Sequence, residues 1–299
     1  MPRMFRPARF AAASALLVLM VASGASAQNA ADAFTPFANA ERLTGLAVDA
    51  DGHVWAASNG GALRFEPETG TWTQFLKQAG TGPRGNDLTT IDIDARGRVW
   101  VGSSARGFTF YDPATGRWDR DQEEWPNPGI RVIRALGDGV YIGTQEGLSL
   151  KPTPTRTDIC APTDPSCIVP SFVINDYARM GDTLWVATVS GLGRQVGTVW
   201  DSLNTLPDGS VGQNSRSLAV WNGQLWEAYE TNAGVRFTRR LVGGVWQDTN
   251  LQADKISVTG GALMAWNGGS VWEWNGAAWV SVPVSVQDAI RGLEVVAEG

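Results

Sequence analysis

One histidine, two cysteines and a scatter of carboxylates are the groups in this chain whose spacing invites covalent or metal chemistry. His53 is the sole imidazole, so a Ser-His-acid or Cys-His arrangement would have to use it. It stands beside the tight Asp51-Gly52 turn, where a solvent-facing turn residue is the simpler reading. Asp49-Ala50-Asp51-Gly52 and Asp92-Ile93-Asp94 look like the start of a calcium loop. The further oxygen ligands and distal bidentate glutamate of such a loop do not follow, and hairpin chemistry explains these aspartates. Glu123-Glu124 would suit a carboxylate pair flanking a glycosidic bond, but neighbours in a proline-containing loop read more simply as a solvated patch. Cys160 and Cys167, with no histidine or further cysteine beside them, are poor zinc ligands. Their short spacing within the proline-rich stretch 152–170 predicts a loop closed by a disulfide, with free thiols or a redox pair as alternatives. No catalytic residue, metal or cofactor is expected.

A second set suits recognition better than catalysis. Arg84, Arg106, Trp125, Glu146, Tyr229 and Asn232 are read as lying on irregular loops. Indole and phenol rings stack on the apolar faces of sugars, and arginine holds carboxylates. The set is compatible with a small-molecule, glycan or protein ligand, and equally with ordinary loop decoration.

A repeat positions these residues. Leu43 to Phe75 reads as four short strands separated by Asp51-Gly52, Asn59-Gly60-Gly61 and Pro67-Glu68-Thr69-Gly70. Leu88 to Trp118 matches it turn for turn, and Pro113-Ala114-Thr115-Gly116 returns the third turn. The residue at Trp55 is followed by Trp100, Tyr141, Trp185, Trp226 and Met264, at spacings of 45, 41, 44, 41 and 38. Four strands recurring at that period are the mark of β-propeller blades, because one such sheet cannot bury both faces alone. The fold class is therefore all-β: a propeller of four-stranded antiparallel blades, six complete, plus a partial seventh. That seventh pairs a closing outer strand at 33–38 with an inner strand near 289–297. Most of the 14 tryptophans read as packing between blades.

The pattern D-x-x-G-x-V/L-W-x-G/A-T/S-x-x-G-L followed by P-x-T-G-x-W resembles the two-component regulator propeller repeat. DADGHVWAASNGGALRFEPETGTW and DARGRVWVGSSARGFTFYDPATGRW carry the resemblance, which extends from Leu43 to Trp279 and is sharpest in these first two units. It implies the extracellular ligand-sensing part of a hybrid histidine kinase, or a free-standing secreted protein. The same blade is similar to that of streptogramin lyases, so fold alone does not assign function. Lyase chemistry is expected to use a histidine base, and the loop face offers none.

Residues 1–27 read as a signal peptide: Arg3, Arg6 and Arg9 precede an apolar run too short to span a bilayer, and Ala25-Ser26-Ala27 offers a cleavage site. A segment 28–42 leads into the propeller domain, 43–299. Cleavage after Ala27 takes three of the 24 basic residues and none of the 30 acidic ones, leaving 21 against 30, a net charge of −9. That acidity, without a basic run, argues against nucleic acid. A periplasmic or secreted monomer without a transmembrane segment in the mature chain is expected. The first-to-second and third-to-fourth strand turns are compact, whereas the second-to-third and blade-to-blade connections vary in length. Both variable classes emerge on one face of a propeller, and that face is the expected binding surface. A ligand- or protein-binding module of sensor type is the reading. A polysaccharide- or lactone-cleaving enzyme is the alternative, and a structural surface protein the second.

Overall fold

The computed structural model describes residues 42–78, 81–120, 129–137, 139–151, 157–203 and 213–283. The expected signal peptide, the closing strand at 33–38 and its partner at 289–297 lie outside them. Six antiparallel sheets of four strands follow one another along the chain. Blade one holds β1 (Leu43–Val48), β2 (Val54–Ser58), β3 (Gly61–Glu66) and β4 (Thr71–Phe75). Blade two holds β5 (Leu88–Ile93), β6 (Val99–Ser103), β7 (Gly107–Asp112) and β8 (Arg117–Arg120). Blade three comprises β9 (Ile130–Leu136), β10 (Gly139–Thr144), β11 (Leu148–Lys151) and β12 (Thr157–Cys160). Blade four runs through β13 (Ile174–Met180), β14 (Thr183–Thr188), β15 (Gly191–Val196) and β16 (Val199–Leu203). Blade five is built from β17 (Asn214–Trp221), β18 (Gln224–Glu230), β19 (Arg236–Val242) and β20 (Val245–Asp248). Blade six ends the series with β21 (Lys255–Thr259), β22 (Ala262–Trp266), β23 (Val271–Trp274) and β24 (Trp279–Val282).

Within each sheet the strands pair in chain order, so every blade is a meander. Successive innermost strands, β1, β5, β9, β13, β17 and β21, pack against one another around the ring. Alternation along the second strand of each blade sends its aromatic into the space shared with the next blade. Five such cores result, each containing the second-strand ring of one blade: Trp55, Trp100, Tyr141, Trp185 or Trp226. An aromatic of this size contributes several kcal/mol on burial, roughly 25 cal/mol per Å² of apolar surface, which is why one ring type recurs at one position.

The D-x-x-G turn has a second duty. Asp49 Oδ1 accepts the backbone N–H groups of Asp51 and His53, while Oδ2 accepts the Trp55 indole N–H at 2.9 Å. Asp94 repeats this in blade two, holding Arg96, Arg98 and the Trp100 indole, again at 2.9 Å. Gly52 and Gly97 take φ of 82° and 77°, which a side chain at those places would disfavour. Asp49 and Asp94 are therefore hairpin residues, as the sequence suggested. Asp92 is not. It lies in β5, half-buried, and accepts the N–H of Ala135 from blade three at 2.9 Å.

The break in the repeat at 152–170 contains a strand the sequence reading missed. β12 is the outer strand of blade three, and Cys160 ends it. The disulfide to Cys167 is present and both cysteines are buried. Among the described residues no helix is long and apolar enough to cross a membrane.

Candidate functional site

Innermost strands of a propeller have one edge unpaired within their sheet, and its polar groups need partners. Here a bulge supplies them. In five blades the pairing of the first two strands slips by one residue, and the extra residue is Thr44, Thr89, Arg131, Asn175 or Arg216. Each sends its side chain to a backbone carbonyl of the following blade. Thr44 Oγ1 donates to Leu88 O at 2.9 Å, Thr89 Oγ1 to Ile130 O at 2.6 Å, and Arg131 Nε to Ile174 O at 2.9 Å. Asn175 Nδ2 donates to Ser215 O at 2.7 Å and Arg216 Nε to Asp254 O at 3.3 Å. A second row lies one residue on: Thr90, Asp176 and Ser217 accept the N–H groups of Ile133, Leu218 and Ile256.

These bulges lie at the starts of the innermost strands, where the chain arrives from the blade-to-blade connections. They form a polar girdle around the channel on the face that carries the variable loops. Arg131 Nη2 reaches Asn175 Oδ1 at 2.6 Å, and Asn175 reaches Asn214 Oδ1 at 2.8 Å. Arg216 meets Glu230 at 2.8 Å; Arg236 bonds both Glu230, at 3.0 Å, and Asp254. Deeper along the channel, Arg134 pairs with Asp176 at 3.2 Å. Asp176 raises the Arg134 pKa, outweighing its burial, with Asp92 adding to the effect. Burial pushes the Asp92 carboxyl up in spite of Arg134. It also pushes the Tyr177 phenol well up, with the hydroxyl donating to Arg134 O at 2.8 Å.

Lys255 completes the set. Its side chain is open to solvent, yet desolvation lowers its pKa, opposed by Asp176 and assisted by Arg134, Arg216 and Arg131. Both descriptions fit a group standing in a channel walled by protein. Arg131 and Lys255 have no ion-pair partner among the described residues, so the girdle presents uncompensated positive charge beside its acceptors. Such a ring suits a ligand rich in hydrogen-bond acceptors.

The residues expected to bind are spread more widely. Arg84 and Arg106 come together: an Arg84 nitrogen lies 3.7 Å from where a Cβ on Gly107 would sit, and Arg106 Cδ is 3.3 Å from the corresponding point on Gly85. Glu146 is exposed in the β10–β11 turn, where its N–H donates to Thr144 Oγ1. Asn232 is exposed in the β18–β19 turn. Trp125 and the Glu123-Glu124 pair lie outside the described residues. Tyr229 is not on a loop: it is a buried residue of β18, with the Arg239 guanidinium 4.6 Å from its ring centre. Burial, then Asp248, pushes its phenol pKa up to about 12. It therefore packs between strands.

Sequence reasoning missed the girdle, although a signal existed. Each bulge residue stands ten or eleven positions before the aromatic of its blade. His53 sits on the opposite, compact-turn side and bonds Asp49 Oδ2 through Nδ1 at 3.0 Å. Asp49, Asp51 and His53 bring ligand atoms within 4.8 Å of one another. Blade two folds the same turn with Arg96 and Arg98 in place of Asp51 and His53, so the cluster is a property of the hairpin.

No family model matches the chain. The extracellular domain of a hybrid two-component system from B. thetaiotaomicron superposes with a TM-score of 0.69 at 17% identity, over 85% of this chain and 36% of that one. This chain has the propeller fold of that extracellular domain. It is also similar to virginiamycin B lyase from Staphylococcus aureus, with a TM-score of 0.57 at 12% identity, over 82% of this chain and 85% of the lyase. In sequence, the photosystem II assembly lipoprotein Ycf48 of Synechococcus sp. (strain RCC307) is 22% identical over 115 residues, 38% of this chain and 35% of the relative. The propeller thus spans about a third of the length of that relative and of the two-component domain.

Proposed function

We propose that the chain is an exported recognition module of sensor type, which binds its ligand at the channel mouth and does not transform it. The observation that carries this reading is the girdle: Arg131, Asn175, Arg216 and Lys255, side by side on the variable-loop face, with two cations unpaired. The neighbouring Arg84 and Arg106 extend the same surface. The ligand is a small molecule, glycan or protein segment offering acceptor oxygens, and no catalytic base is needed for such a role. Export is supported by the signal-like residues 1–27 and by the Cys160–Cys167 disulfide, which an oxidising compartment preserves. The test is a melting-temperature screen of the purified protein against neutral and acidic oligosaccharides and short peptides, followed by calorimetry of the best binder. Arg131→Ala and Lys255→Ala should each weaken that binder roughly tenfold or more, as ~1.4 kcal/mol per lost contact implies, while His53→Ala leaves it unchanged. An essential His53 with silent girdle variants would sink this reading in favour of an enzyme.

A further inference from the structure

Three of the buried middle-strand tryptophans face an arginine directly across the strand pair: Trp55 with Arg64, Trp185 with Arg194, and Trp226 with Arg240. The guanidinium carbons lie 5.6, 6.0 and 5.6 Å from the indole centres. In blade one Glu66 neutralises the arginine at 2.6 Å. In blade four Asp201 does so at 2.7 Å, from the position opposite Arg194 on β16. The corresponding position opposite Arg240 on β20 is Gln247. Arg240 has no ion pair among the described residues, and its Nε is buried without a hydrogen-bond partner.

A pocket of about 450 Å³ opens beside it, between the outer halves of blades five and six. Its walls include Arg240, Trp272, Trp274 and Trp279. Trp274 is only 5% exposed, yet its indole N–H also lacks a partner. Trp279 is fixed by donation to Thr249 Oγ1 at 3.2 Å and by edge contact with Trp274. Half-buried Trp272 makes no ring–ring contact among the described residues. Asp248 also lines the space, but it is in register with Arg239 and accepts from the Tyr229 hydroxyl, so its carboxylate belongs to the other side of the sheet.

We propose that this pocket binds a small carboxylate carried on a flat ring. The carboxylate takes the place at Arg240 that Glu66 and Asp201 fill in blades one and four, and the ring lies against Trp272. Two buried N–H donors beside the pocket, on Arg240 and Trp274, lack acceptors, and carboxylate oxygens placed there relieve the cost of leaving them unmet. A planar guanidinium fork matches a carboxylate in geometry, and an indole wall matches a flat apolar body. The volume is within the range of small-molecule sites.

The probe is benzoate, titrated calorimetrically into the purified full chain, with benzamide as its uncharged counterpart. Benzoate should saturate one site, and benzamide should bind about tenfold more weakly or worse. Arg240→Gln and Trp272→Ala should each weaken benzoate by a similar factor. Gln247→Glu supplies the acid internally, as Asp201 does, and should abolish benzoate binding while raising the melting temperature. Arg131→Ala and Lys255→Ala, in the channel, should leave benzoate binding intact. Unchanged benzoate binding to the Gln247→Glu protein, equal binding of benzamide, or no saturable binding to the native chain each overturns the proposal. So does loss of benzoate in the channel variants with Arg240→Gln silent.

Discussion

Blades two and five start from the same plan. Each buries a tryptophan against the next blade, Trp100 and Trp226, with an arginine over the ring at 5.1 and 5.6 Å. In blade two the five-residue connection 94–98 leaves room for Asp94 to turn back, accept the indole N–H and hold Arg98 at 2.7 Å. In blade five the strands are joined by Asn222-Gly223 alone. No carboxylate returns, the Trp226 indole N–H is buried without a partner, and Arg240 is left uncompensated. Turn length thus decides whether the second-strand indole is met: blade four, joined by Gly181-Asp182, also leaves the Trp185 N–H without a partner, but there Asp201 holds the arginine, and blade five lacks both.

The largest test of this contrast removes the rings. Trp100→Ala and Trp226→Ala should each cost about 3–5 kcal/mol in urea unfolding, because both rings are equally buried and the hydrogen bond is a minor share. A finer cut separates burial from bonding. Trp100→Phe leaves Asp94 short of a donor and should cost about 1–3 kcal/mol more than Trp226→Phe, which forfeits no bond; equal losses would break the comparison.

Acidity offers a third handle. Burial opposes ionisation of Asp94, but the bonds from Trp100 and Arg98 prevail and hold its pKa below the ordinary 3.8. Its contribution is therefore present above pH 3.8 and lost as pH falls through the depressed value. Asp94→Asn should lower stability by about 1–2 kcal/mol at neutral pH, with the difference closing in strong acid. Asp92, two residues earlier, runs the other way. Its raised pKa makes its contribution greatest below 3.8 and smaller as pH rises through the folded value, so the advantage of the native protein over Asp92→Asn should shrink with rising pH. The smallest expected effect is at His53, which occupies the position of Arg98 in blade one's turn. Half-exposed and bonded only to Asp49, it should yield under about 1 kcal/mol on replacement by alanine.

The blades were legible because a buried aromatic recurs every 41 to 45 residues, with Met264 in its place 38 residues after Trp226, each after a glycine-containing turn. The turn aspartates were legible for the same reason, being fixed by backbone geometry. The girdle was not, because its five bulge positions hold Thr, Thr, Arg, Asn and Arg: the demand is for a donor long enough to reach a carbonyl, and several side chains meet it. Tyr229 was misplaced because β18 runs to Glu230, past the point where its sequence begins to look like a turn. The vacancy at Arg240 lies in a residue that is ordinary by itself. Gln247 gains meaning only when the register places it where blade four has Asp201.

The bulge bonds also have a direction. Each of the five runs forward, from a side chain in one blade to a main-chain carbonyl in its successor, and only Arg131 and Asn175 add a side-chain contact there. A blade therefore carries its own fastener and offers every predecessor the same eyelet. Copies of such a unit join without matched changes on both sides, and the joint itself contains no instruction about how many units close the ring.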